Sequence, residues 1–343
     1  MIIIMEPEAT HEQIDTVLER IQEIGLNVQI NKGSEQVVLG LIGDTRHIQD
    51  VAFQRYKGVA KTVRISNTYK LTSREFHPQD TVVDVDGVKI GDGSFVTMAG
   101  PCSIEGLDQI RETARMAKAG GAKILRGGAY KPRTSPYAFQ GLEEEGLRYI
   151  RQAADEFDMK VITEVMDVEH IEVVAKYADI LQIGARNMQN FKLLAAVGKT
   201  GKPIGLKRGI SGTIDEWLNA AEYIAVSEKS PVIFIERGIR TYETATRNTF
   251  DLSAVPLIKK LSHFPIIVDP SHGTGVWDLV TPMARAGVAA GADGLIVEIH
   301  PDPEKAWSDG PQSLNEKNYL KMMKEVNVMT EAMKKINELK GDK

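Results

Sequence analysis

Eight times between residues 95 and 297, a short apolar run is followed by a polar cluster and then by a stretch with helical spacing. The runs cover 95–99, 122–125, 160–163, 180–183, 203–206, 232–235, 265–268 and 294–297. Most do not alternate apolar with polar residues, which is the pattern of parallel strands covered on both faces. Parallel neighbours need crossover helices between them, so the repeat predicts an α/β fold, a (β/α)8 TIM barrel.

The barrel does not use the whole chain. Ahead of it the order reads strand, helix, strand, strand, helix, strand. Residues 2–5 are apolar; Thr10 with Gln13 makes a capping box, and Ile14, Val17, Leu18, Ile21 and Ile24 then recur at helical spacing until Gly25. Strand-like runs at 26–30 and 36–42 flank the turn Asn31-Lys32-Gly33-Ser34. Asp44 caps a short helix carrying Ile48, Val51 and Ala52, and 59–65 supplies the last strand. This βαββαβ order is the ferredoxin-like pattern and predicts a small domain over residues 1–65. Such a unit buries one sheet face under two helices, which suits it to packing on a partner or binding a small regulator. Residues 66–80 read as a linker. Residues 81–343 read as the barrel unit, opened by a hairpin whose strands, 81–85 and 88–90, flank Asp86-Gly87. A final helix over 314–339 carries Tyr319, Met322, Met323, Val326, Met329, Met333 and Ile336, and its methionines read as core filler.

Composition narrows the partners. A formal charge of -5 gives no general attraction to nucleic acid. No run approaches the ~20 apolar residues of a membrane helix. Neither nucleic acid nor membrane is an expected partner. Cys102 is the only cysteine, so no intramolecular disulfide forms, and the opening Met1-Ile2-Ile3-Ile4-Met5-Glu6-Pro7 lacks a basic export leader. A reducing cytoplasm is the expected location.

A barrel works at its C-terminal mouth, so the residues after each run carry the chemistry. Seven of them are basic: Arg126, Lys131, Arg133, Arg186, Lys207, Arg208 and Arg237. Held together at one mouth, they need compensating negative charge. An ion-pair network with Glu164, Glu236 and Asp269 is one source; a polyanionic ligand is the better one. Arginine suits phosphate and carboxylate through its planar fork, and lysine brings a mobile charge that can donate a proton. Two clusters suggest two phosphates. Arg186, Lys207 and Arg237 make one, and Arg133 with Thr134 and Ser135 makes the other. Lys131 lies between them in sequence.

Cys102, His272, Glu298 and Asp309 also follow or end apolar runs. A lone cysteine is usually a small buried hydrophobe; the shared placement of four ligand-type side chains points instead to a metal. Mixed soft and hard donors suit one divalent ion of the Mn, Fe, Co or Zn type and suit Mg or Ca poorly. Such an ion would act as a Lewis acid on a carbonyl oxygen.

At these residues the chain resembles a known family. Ala99-Gly100-Pro101-Cys102-Ser103, Leu125 to Pro136, Gln182-Ile183-Gly184-Ala185-Arg186-Asn187, Leu206-Lys207-Arg208-Gly209 and Val268-Asp269-Pro270-Ser271-His272 are similar to 3-deoxy-D-arabino-heptulosonate 7-phosphate (DAHP) synthases. The similarity is to the short microbial type with an N-terminal ferredoxin-like regulatory domain. The resemblance implies condensation of phosphoenolpyruvate with D-erythrose 4-phosphate, the first step of the shikimate pathway of aromatic amino acid biosynthesis. It implies metal ligands at Cys102, His272, Glu298 and Asp309, and phosphoenolpyruvate contacts at Arg126, Lys131, Arg186, Lys207 and Arg237. It implies erythrose 4-phosphate contacts at Lys131, Pro132, Arg133, Thr134 and Asp269. Lys131 is then the candidate to protonate the developing alkoxide and Glu164 to orient water, with His272 as the third catalytic residue. A homotetramer is implied, as is an aromatic amino acid effector on the small domain. There Gln29 and Asn31 stand where relatives under tyrosine control have histidine and serine. Two other readings stay open. A 3-deoxy-D-manno-octulosonate 8-phosphate synthase would use arabinose 5-phosphate, and typically has Lys-Ala-Asn-Arg-Ser in place of Lys131-Pro132-Arg133-Thr134-Ser135. A non-enzymatic amino acid sensor would keep the fold without the activity.

Overall fold

The computed structural model describes residues 1–33, 36–43, 45, 48, 51–63, 68–131, 135, 137 and 139–341. The chain divides into two compact units, Met1–Asp80 with Lys260–His263, and Thr81–Lys259 with Phe264–Lys343.

In the first unit, β1 (Ile2–Met5), β2 (Asn27–Lys32), β3 (Val37–Ile42) and β4 (Val59–Val63) form one antiparallel sheet in the order β2-β3-β1-β4. That order is the ferredoxin-like arrangement expected from the βαββαβ pattern. Helix His11–Glu23 starts at the expected capping box, with Thr10 Oγ1 accepting from the Gln13 N–H and Gln13 Oε1 accepting from the Thr10 N–H. Its apolar stripe meets the sheet, so Val17 and Ile21 bury against Ile3, Met5, Leu39, Leu41 and Phe53. The second helix is short, Val51–Gln54. Asp44, expected to cap it, lies outside the described residues.

The second unit opens with the hairpin β5 (Val83–Val85) and β6 (Val88–Ile90). Asp86 at φ 46° and Gly87 at φ 93° both take the left-handed conformation that a tight two-residue turn requires. Eight parallel strands follow: β7 (Val96–Gly100), β8 (Ile124–Arg126), β9 (Lys160–Glu164), β10 (Ile180–Ile183), β11 (Ile204–Lys207), β12 (Val232–Glu236), β13 (Ile266–Val268) and β14 (Gly294–Glu298). They close into a barrel in chain order, with β14 pairing back on β7. Branched residues from alternate positions fill the interior, Ile124, Ile162, Ile180, Ile233, Ile235, Ile267 and Ile296 among them, and Val83, Val85 and Ile90 of the hairpin join the same cluster.

Arg126, Glu164, Lys207, Glu236 and Glu298 were expected just past their strands; each is instead the last residue of one. The charged groups are therefore held by ladder hydrogen bonds rather than by loops. Gly100 permits the same thing between β7 and β8, since a Cβ there would fall 1.8 Å from the Arg126 carbonyl oxygen. The final helix, Glu316–Gly341, buries Tyr319, Met322, Met323 and Val326, whereas Ile336 and Leu339 are exposed. Its apolar stripe ends earlier than the sequence pattern suggests. Among the described residues no helix is long and apolar enough to cross a membrane.

Candidate active site

The C-terminal ends of the barrel strands surround a cavity of about 250 Å³. Among the described residues its wall carries seven cationic side chains, Arg126, Lys131, Arg186, Lys207, Arg237, Arg240 and Arg247, against two acidic ones, Glu164 and Asp309. Five of the seven bases expected at the mouth are there. Arg208 is not. It points away, stacked on Trp217, with Nη1 held by Glu236 Oε2 at 3.0 Å and Asp251 Oδ2 at 2.8 Å. The ion-pair account is thus right for Arg208, whose place after β11 turns it outward from its neighbour Lys207. Arg133, with Pro132 and Thr134, lies outside the described residues. Arg240 and Arg247 were missed because they follow β12 by several residues, beyond the clusters that directly abut the strands.

The bases differ in how they are satisfied. Arg126 Nη1 donates to the Pro101 carbonyl at 2.6 Å and to Glu298 Oε1 at 2.9 Å. Lys207 Nζ lies 2.8 Å from Asp269 Oδ2, with both groups buried. Lys131 Nζ reaches the Cys102 carbonyl oxygen and Sγ, each at 2.9 Å. Arg237 stands apart. It is buried, yet its Nε and Nη1 have no hydrogen-bond partner among the described residues. Burial lowers its pKa from the ordinary arginine range in spite of the Asp269 charge nearby.

Beside the cations, one ligand atom each from Cys102, Glu298 and Asp309 lie within 4.8 Å of one another. His272 joins at the edge of this group, its Nε2 3.6 Å from Glu298 Oε1. Each is delivered by a different element: Cys102 by the turn after β7, His272 by the short helix Pro270–Thr274 after β13, Glu298 by the end of β14, and Asp309 by a left-handed backbone position at φ 53°. Cys102 Sγ donates to Asp309 Oδ2 at 3.1 Å. Burial, with the Glu298 charge adding to it, pushes this thiol up to about 11. Burial would likewise raise Asp309, but the Arg247 guanidinium, the Cys102 hydrogen bond and the His272 and Lys131 charges hold it at about 2. Three soft and hard donors at this spacing, with the His272 imidazole at their edge, fit a borderline divalent cation, which is also what converts a buried thiol to thiolate.

Asp269, expected to touch a sugar phosphate, is buried beneath the wall. Its Oδ2 faces Lys207 Nζ and His272 Nδ1, each at 2.8 Å, and its Oδ1 accepts from the His272 N–H at 3.0 Å. Burial opposes its charge, yet His272 and Lys207 hold it well below the usual carboxylate range. Glu164 lines the cavity with its carboxylate against Gly184, where an added Cβ would lie 2.0 Å from Oε1. In the small domain, Gln29 sits opposite Gly40 on the ladder, and its Oε1 is buried without a partner among the described residues. Asn31 Nδ2 donates to the Phe76 carbonyl at 3.2 Å.

The "DAHP synthetase I family" matches residues 79–335 and the "DAHP synthase ferredoxin-like domain" matches residues 1–67. The chain is 52% identical to the phospho-2-dehydro-3-deoxyheptonate aldolase of Thermotoga maritima over 97% of its own length and 98% of that protein. A crystal structure of a DAHP synthase from the same organism superposes with a TM-score of 0.78, covering 97% of each chain. The 2-dehydro-3-deoxyphosphooctonate aldolase of Citrifermentans bemidjiense is more distant, at 32% identity over 68% of this chain and 91% of that one. The chain belongs to the DAHP synthetase I family.

Proposed function

We propose that the basic cavity binds phosphoenolpyruvate and D-erythrose 4-phosphate together and condenses them with water into DAHP and inorganic phosphate. The observation that carries this reading is Arg237, a buried guanidinium whose Nε and Nη1 have no hydrogen-bond partner among the described residues, in a wall where the described bases outnumber the acids. Buried cations without partners are strongly disfavoured, so the site is built for anions that arrive with the substrates.

Arg186, Lys207 and Arg237 take the phosphate and carboxylate of phosphoenolpyruvate, with Arg126 beneath them on the last residue of β8. C3 of phosphoenolpyruvate attacks the aldehyde carbon of the erythrose, and Lys131 Nζ gives a proton to the alkoxide that forms. Glu164 orients the water that adds at C2, after which the C–O bond to phosphate breaks and phosphate leaves. Pro132, Arg133 and Thr134 are the further contacts for erythrose 4-phosphate, while Asp269 acts from beneath by holding Lys207 and His272. A divalent ion of the Mn, Fe, Co or Zn type, held by Cys102, His272, Glu298 and Asp309, supplies Lewis acidity at the aldehyde oxygen when bound.

The small domain is proposed to bind an aromatic amino acid such as tyrosine or phenylalanine beside Gln29 and Asn31, where Asn31 lines a cavity of about 60 Å³. A homotetramer in the cytoplasm completes the reading. The octulosonate alternative is not favoured, since those relatives are 28–32% identical and match 66–73% of the chain.

The test is phosphate release from phosphoenolpyruvate with erythrose 4-phosphate or arabinose 5-phosphate, before and after chelation and then with Mn restored. Release confined to erythrose 4-phosphate and dependent on metal supports the reading. Release with arabinose 5-phosphate alone makes the chain an octulosonate synthase, and no release with either sugar leaves the sensor.

A further inference from the structure

We propose that Gln312 is a positioning residue for the cation site, tying Glu298 and, through Arg247, Asp309 into one fixed arrangement. The inference rests on the metal reading above and adds a residue outside the ligand set. Gln312 lies in the turn Gly310–Gln312, just past Asp309, and is 2% exposed. A buried amide is costly unless its donor and acceptor ends are both used. Here they are. Nε2 donates to Glu298 Oε2, and Oε1 accepts from Arg247 Nη1 at 2.6 Å. The same Nη1 reaches Asp309 Oδ1 at 3.3 Å.

The chemistry fixes the amide's orientation. Reversed, it would set a carbonyl against the Glu298 carboxylate and an NH2 against the Arg247 guanidinium, so only the observed direction satisfies both neighbours. Glu298 is held on its other oxygen by Arg126 at 2.9 Å, and its backbone N–H donates to Ser271 Oγ at 2.9 Å. Gln312 therefore restrains Oε2, the carboxylate oxygen that Arg126 and His272 do not face. It does so without charge. A glutamate here would place a second anion against Glu298, and a lysine would place a cation beside the ion's own site. Groups that hold metal ligands in this way typically set affinity by about 10–100-fold.

The test uses cobalt(II), whose thiolate charge-transfer band reports ligation by Cys102, on the full chain. The dissociation constant is read by competition with a chelator. Gln312→Met keeps the side chain's length and removes both hydrogen bonds. The expected result is a cobalt dissociation constant raised on the order of 10–100-fold, with a matching loss of the cation-induced rise in melting temperature. A role confined to filling space would leave the cobalt affinity unchanged. Should Gln312→Met fail to fold, Gln312→Asn carries the test, since it keeps the amide but is one methylene too short to span Arg247 and Glu298. An unchanged dissociation constant in a folded variant overturns the inference alone. A wild-type chain that develops no thiolate band overturns the metal reading and this inference with it.

Discussion

Asp269→Asn isolates what a buried counter-charge contributes beneath the cavity wall. In the wild type the carboxylate meets Lys207 Nζ at 2.8 Å and His272 Nδ1 at 2.8 Å, with Asp269 and Lys207 both buried. Asparagine keeps an acceptor for the His272 N–H but removes the charge that faces Lys207, and its NH2 finds only a donor or an imidazole there. Removing one partner of a buried pair costs roughly 3–5 kcal/mol, because the other charge stays buried and alone. At roughly 2–4 °C per kcal/mol for a unit of this size, the melting temperature falls by about 6–20 °C. The assay is thermal melting with and without millimolar inorganic phosphate or phosphoenolpyruvate. If Lys207 belongs to an anion site, either ligand restores its missing counter-charge and stabilises the variant more than the wild type. A variant melting within about 2 °C of the wild type, with the same response to phosphate, would refute the reasoning.

Three further outcomes are expected. Lys131→Ala should lower turnover by roughly 10²–10⁴-fold in steady-state assays with erythrose 4-phosphate, and near-normal turnover would remove Lys131 from the proton-transfer step. Gly184→Ala should displace the Glu164 carboxylate, which lies 2.0 Å from where the new Cβ would be, and lower kcat by on the order of 10²-fold with little change in melting; an unaltered kcat would dissociate Glu164 from water positioning. In metal-free protein, alkylation of Cys102 by iodoacetamide should keep accelerating as pH rises toward about 11, because burial and the Glu298 charge favour the neutral thiol below that value. A plateau near the ordinary thiol pKa of ~8.5 would show that the buried environment is not what controls it.

Much of this was legible because parallel barrels leave a periodic trace. Eight apolar runs, each ending in polar residues, sufficed to place Arg126, Glu164, Lys207 and Glu298 at strand ends, and Thr10 with Gln13 sufficed to start the first helix. Direction was not legible. Lys207 and Arg208 are adjacent, yet successive strand-end residues point to opposite sides, so Lys207 enters the cavity and Arg208 pairs with Glu236 and Asp251 outside it. Arg247 and Gln312 were not legible either. Neither abuts a strand, and their importance comes from tertiary contacts with Asp309 and Glu298 that no local spacing encodes.

The pairing of charges explains how so basic a mouth folds before any ligand arrives. Arg126 uses Glu298, Lys207 uses Asp269, and Arg247 uses Asp309, while Lys131 leans on the carbonyl and sulfur of Cys102. Three of those four partners, Glu298, Asp309 and Cys102, are also the converging donors of the cation site. A divalent ion held by these residues would compete with Arg126, Arg247 and Lys131 for them, and so would weaken those internal pairs. Those bases would then have charge to offer a phosphate or carboxylate in the cavity, alongside Arg237, whose Nε and Nη1 have no hydrogen-bond partner among the described residues. Cation and anion binding should therefore be mutually favourable: phosphoenolpyruvate tightens the metal, and by linkage the metal tightens phosphoenolpyruvate by the same factor.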